Sequence, residues 1–232
     1  MVDFIVNGAE YALIVLQAIL LFFLLTGTLR SYIVLFLYSA VDLVASVAEI
    51  SVSRTTGRAS PLYRNLYWTN EILLDLLLFV LVIVLIRRAA GNPALRSAAE
   101  KILPIVIGAS IILPFIYGHQ PMAHTARGET VLAGGWFIVA GQVLNFGGAI
   151  MNLVLWSALL ASQRRDAQLL TVSAGLGIAV TGQAIYYGIR ILTAAASELR
   201  SFEDLLLAAT HIAGVAIWCW AFRPSARPAE QP

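Results

Sequence analysis

Asp42 and Glu49 interrupt the apolar run Tyr32–Val52, and Glu71 and Asp75 interrupt Leu66–Ile86. Both runs are otherwise long enough to cross a lipid bilayer. An acid at bilayer depth costs about 2.5–3.5 kcal/mol on insertion scales, so a functional site is the default reading. Asp42 and Glu49 are seven residues apart, and Glu71 and Asp75 four, which puts each pair on one helix face. A carboxyl held near the midplane is a natural proton carrier, and Asp42 and Asp75 are assigned that role. Glu49 and Glu71, with Arg190, form the electrostatic gate or ion pair on the outer approach.

Other polar residues fall at similar depth, taking about 1.5 Å per helical residue. Tyr38, Asp42, Ser46, Glu49 and Ser53 form a stripe on the second span, and Tyr67, Glu71 and Asp75 one on the third, with Trp68 beside them. Gln142 and Asn145 on the fifth span, Gln183 and Tyr187 on the sixth and His211 on the seventh complete the cavity lining. Such faces turn inward in lipid, toward the bundle or a wet cavity. Four acids against Arg64, Arg190 and His211 leave at least one carboxylate without a partner if all ionise. Protonation or a bound cation removes that charge. The competing reading is structural: interhelical hydrogen bonds worth about 0.6 kcal/mol each, with Arg190 bridged to Glu71 or Glu49, and Glu49 alternatively paired with Arg54 or Arg64.

The elements that must position these groups follow from composition. The chain has 232 residues, 59% of them hydrophobic and only 12% charged, with a mean hydropathy of +0.83. That is about half the charge of a soluble domain, and it specifies a polytopic all-α membrane protein. Seven spans are expected at Tyr11–Thr26, Tyr32–Val52, Leu66–Ile86, Ile102–Tyr117, Val131–Leu160, Leu169–Leu192 and Leu205–Phe222. The fourth is short and holds Pro104 and Pro114; the fifth is over-long. With the N-terminus outside, nine basic residues fall inside (Arg30, Arg87, Arg88, Arg96, Lys101, Arg164, Arg165, Arg223 and Arg227) and six outside. This bias sets the N-terminus outside and the C-terminus inside. Residues 1–222 form the seven-helix domain, and 223–232 a short disordered cytoplasmic tail, too short for an output domain. Asp3 and Glu10 replace a basic leader region, so the first run is expected to be a retained span. No internal repeat extends along the helices, although a three-plus-one-plus-three layout stays open.

Several chemistries are excluded. A retinal Schiff base needs a lysine in the last span, and the one lysine is Lys101 in a loop. A haem pair needs two histidines at depth, and only His211 qualifies. His119, His124 and Glu129 share an outer loop and could meet only a surface metal. The chain has no Gly-x-Ser-x-Gly and no phosphate-binding loop. One cysteine, Cys219, allows no internal disulfide and reads as a packing or lipid-facing residue. The net charge of +2 with no basic run gives no nucleic-acid signal. No cofactor or metal is implied and enzyme activity is not expected, although carboxylate chemistry on a lipid stays open.

The opening of the third helix, with Tyr63, Tyr67, Trp68 and Glu71, resembles uncharacterised bacterial seven-helix integral membrane proteins. That resemblance implies no activity. The leading expectation is a protein of the bacterial inner membrane that carries protons, or a small polar or cationic solute coupled to them, with Pro104, Pro114 and the glycine-rich sixth helix allowing motion. One alternative is a receptor-like sensory module binding an extracellular ligand and acting through a separate cytoplasmic partner. Another is a structural subunit of a larger complex. The expected partners are membrane lipid, the solute or protons, and a second copy or another membrane protein.

Overall fold

The computed structural model describes residues 2–89, 93–124, 128–161, 166–192 and 200–224. The expected disordered tail lies outside these residues from Ser225 onward, as do Arg127, Arg164, Arg165 and Arg227. The described chain is seven α-helices and one small hairpin: α1 (Val2–Phe23), α2 (Ile33–Thr56), α3 (Pro61–Ala89), α4 (Pro93–Ile116), β1 (Met122–His124), β2 (Thr130–Leu132), α5 (Gly134–Ala161), α6 (Ala167–Leu192) and α7 (Arg200–Phe222). Five of them, α1, α2, α5, α6 and α7, are long and apolar enough to cross a membrane.

The helix ends carry recognisable chemistry. α2 stops at Gly57, whose φ of 81° is open to glycine and whose N–H bonds Ser53 O at 3.1 Å. Three residues later Ser60 Oγ accepts from Tyr63 N at 3.1 Å, and Pro61 opens α3, where its missing N–H has no helical partner to lose. Asp166 Oδ1 caps α6 through Leu169 N at 3.0 Å. α4 runs unbroken through Pro104 and Pro114 and closes on Gly118, φ 74°. Between α1 and α2 the chain passes through a π turn (Leu24–Thr28) and a 3₁₀ turn (Leu29–Ser31).

The fifth apolar run takes in a strand at its start, although α5 alone still runs 28 residues. Val131 and Leu132 belong to β2, and the helix begins only at Gly134. β1 and β2 pair antiparallel, with Ala123 opposite Val131. Val131 is buried, and Leu132 N donates to Asn65 Oδ1 of α3 at 2.8 Å. Alternating burial in a strand reads as apolar sequence just as a span does.

Consecutive helices pack side by side, α7 closes against α1, and α3 crosses the interior to meet α5 and α6. Small residues set the closest approaches. A Cβ on Gly175 would sit 2.6 Å from Trp218 Nε1 and 2.9 Å from Gly214 O, so α6 and α7 meet nearly backbone to backbone there. Trp218 Nε1 donates to Val172 O at 3.0 Å across the same seam. Leu24, Leu35, Leu78, Leu85, Leu155 and Trp218 belong to a continuous apolar core. Cys219 Sγ lies 3.3 Å from Leu16 O, between α7 and α1.

Candidate functional site

Asp42 lies mid-way along α2, on the stripe that turns into the bundle, and is 3% exposed. Three helices meet at it. His211 Nε2 of α7 is 2.9 Å from Asp42 Oδ2, and Gln17 Nε2 of α1 donates to the same oxygen. Tyr38, one turn before Asp42, brings its hydroxyl to 3.1 Å from His211 Nε2. Gln17 is fully buried. A buried carboxylate without partners would cost several kcal/mol, and here an imidazole and an amide supply them.

A second cluster stands beside the first. Tyr187 OH of α6 is 3.0 Å from Glu71 Oε2 and 3.1 Å from Asp75 Oδ2, both on α3. A phenol has one hydrogen and donates to one of these oxygens at a time. The other contact is a hydrogen bond only when a carboxyl proton points back at the phenol oxygen. Asp75 is 1% exposed, and its Oδ1 has no hydrogen-bond partner. The room for this arrangement comes from Gly141 on α5: a Cβ there would lie 2.7 Å from both Asp75 Oδ2 and Tyr187 Cζ. Asn145, one turn on, is buried and donates to Gly141 O at 2.9 Å.

The clusters face one void. A cleft of ≈ 350 Å³ among α1, α3, α6 and α7 opens at the end of the bundle that carries Glu10, Arg58 and Arg190 and reaches Glu71 and His211. At its mouth Arg58 and Glu10 pair at 3.4 Å, and Tyr63, Tyr67, Tyr186 and Arg190 line its walls. Tyr63 and Tyr67 stack at 6.2 Å, and Trp68 stacks on Phe137 at 5.8 Å.

The ion pair expected between Arg190 and Glu71 or Glu49 is not formed. Arg190 donates through Nη1 to Tyr186 OH, one turn back on its own helix, and its guanidinium lies 5.8 Å from the centre of the Trp68 ring. The i−4 phenol is the nearer acceptor on that face. Glu49 takes Asn70 Nδ2 at 2.8 Å in place of Arg54 or Arg64, while Arg54 reaches Tyr11 OH. With Ser46 and Ser53, Glu49 opens on a small side pocket next to Glu10 and Arg58.

The remaining expected lining residues divide. Gln183 is buried beside Tyr38 and His211. Gln142 faces away from the carboxylates, into a separate cavity among α4, α5 and α6. Gln17, Asn70 and the Glu10–Arg58 pair were not assigned from the sequence. Gln17 carried the same signal as the acids: it is the one strongly polar residue in Tyr11–Thr26. Among the described residues no three His, Cys, Asp or Glu side chains converge as a metal site would require.

The chain matches no family model, no curated protein and no solved structure.

Proposed function

We propose that this chain is a seven-span membrane protein of a bacterial inner membrane, N-terminus outside and C-terminus inside, that moves protons, alone or coupled to a small polar or cationic solute. α3 and α4, of 29 and 24 residues, complete the seven spans. The observation that carries the reading is the cleft: it joins an outer mouth to Glu71 and His211, with Asp42 and Asp75 immediately behind them. His211 accepts a proton from the cleft and passes it to Asp42. Glu71 and Asp75 hold one proton between them beside the Tyr187 phenol, which halves the charge buried there. Arg58 and Glu10 form the outer gate, and Arg190 keeps a cation beside the dyad without neutralising it.

The test is proton flux into liposomes containing the purified protein and an internal pH dye. Wild type is expected to dissipate an imposed gradient, and Asp42→Asn and Asp75→Asn to lose at least about tenfold in rate, the equivalent of about 1.4 kcal/mol. Tyr187→Phe, which separates the two carboxyls, is expected to slow the flux with the fold intact. Folded wild type that carries no flux under any gradient overturns the transport reading.

A receptor-like reading has one observation in its favour. Inward of the clusters the bundle is filled by Leu24, Leu35, Leu78, Leu85 and Trp218, so the cleft is blind. A blind cleft suits a ligand that enters and leaves on one side. Ligand-dependent melting without flux would support this second reading.

A further inference from the structure

A cavity of ≈ 670 Å³ lies among the outer parts of α4, α5 and α6, and nothing in the acid cluster uses it. Arg190 is the wall between it and the cleft, since it lines both. Ile138, Val139, Val143 and Phe146 lie one to three turns inward of Gly135 on α5 and give the cavity an apolar depth. Its polar groups gather at the outer end: Tyr117 and His119 after α4, Arg190 in the last turn of α6. Gln142 alone lies deeper. Among the described residues no carboxylate lines the cavity.

The charge is therefore one-sided. Tyr186 takes one N–H of Arg190, and a guanidinium has five, in a fork that matches a phosphate. His119 is held near by Gly135, where a Cβ would lie 2.8 Å from His119 Nδ1. α5 also begins here, with no acid in its first turn, so its positive end faces the same region. Phe146 and Ile191 are 48% and 42% exposed on the outer surface of the bundle. The cavity thus opens sideways, at the depth where bilayer lipid is the abundant solute, and its volume is that of a small-molecule site.

We propose that this cavity binds an anionic phospholipid of the outer leaflet. The phosphate sits on Arg190 and His119, and one acyl chain runs down α5 past Val139 to Phe146. An amphiphile is the one class whose polarity profile matches, and a zwitterionic lipid forgoes the net charge that Arg190 selects. The site stands independently of any proton transport.

The test is native mass spectrometry of the full chain from detergent doped with equal phosphatidylglycerol and phosphatidylcholine. Wild type is expected to retain phosphatidylglycerol with a preference of about tenfold, or about 1.4 kcal/mol. Arg190→Gln is expected to abolish the preference while keeping residual binding of both lipids. Val139→Trp and Leu113→Trp, which fill the apolar depth from two different helices, are expected to reduce retention of both, with melting temperature checked for each variant. Equal retention by wild type, or a preference untouched in folded Arg190→Gln, overturns the proposal. Displacement of the bound lipid by soluble glycerol phosphate at equal concentration also overturns it, in favour of a soluble anion.

Discussion

The Tyr187 phenol stands between two carboxyl groups, and a glycine makes that possible. Gly141 leaves the gap into which Asp75 Oδ2 and the Tyr187 ring fit, each 2.7 Å from where a methyl would stand. Gly141→Ala is expected to push the two apart at a cost of about 1–3 kcal/mol, seen as a lower melting temperature. Gly188→Ala is the control: its nearest neighbour is Gln142 Nε2 at 3.9 Å, so the change is expected to be neutral or slightly stabilising. The acids themselves were legible in the sequence because a charge inside an apolar run has no cheap explanation. Their partners were legible only in part. Tyr38, His211 and Tyr187 fall on the stripes, and the structure brings them to Asp42, Glu71 and Asp75. Gln17 lies seven residues after Glu10, the spacing that joins Asp42 to Glu49, so its face was legible too, although nothing in the sequence paired it with Asp42. The choice of Tyr186 over a carboxylate by Arg190 is a matter of rotamers, which spacing does not encode.

Helix existence was readable from apolar runs, whereas helix ends depended on caps. Gly57, Ser60, Pro61 and Gly118 mark their ends by backbone requirement, and α3 starts five residues before the apolar run because Pro61 and Ser60 favour it there. The over-long fifth run concealed a strand, since a short buried strand and a helix end have the same hydropathy. What pins that strand is one side chain, Asn65, which satisfies Leu132 N. Asn65→Ala is expected to leave that N–H unpaired and cost about 1–3 kcal/mol. Hydrogen exchange at Leu132 and Val131 checks it: faster exchange confined to the hairpin is the expected pattern, and unchanged protection counts against the tie.

For the molecule as a whole, the ring of helices with α3 inside explains why five helices contribute to two adjoining clusters. A layer of polar residues was expected from depth alone. Which faces met was not, because helix rotation and order in the ring depend on the small-residue contacts at Gly141, Gly175 and Gly182. Gln142 shows the limit: it has the expected height and the opposite orientation. The orientation of the protein in its membrane is tested by cysteine labelling in a Cys219→Ser background. Ser60→Cys is expected to react with an impermeant maleimide on intact cells, and Arg88→Cys only after permeabilisation. The reverse pattern would put the cleft on the inner side.

The hairpin after α4 bears on how such a cleft could move. Its second strand leads within two residues into α5, and its backbone is held by Asn65 near the start of α3, so α3 and α5 are strapped together at their first turns. The side of the cleft built on α3, with Tyr67 and Glu71, therefore acts as a fixed jaw. The opposite side is built from Glu10 and Leu13 of α1 and from Leu207, Ala208 and His211 of α7, and the Arg58–Glu10 pair at 3.4 Å ties its α1 half to the segment between α2 and α3. Were the mouth to widen by a shift of α7 along its close contact with α6 at Gly175 and Gly214, His211 would travel with it. Such a shift would change the distance between the His211 imidazole and Glu71 and leave the contacts of Tyr187 with Glu71 and Asp75 in place.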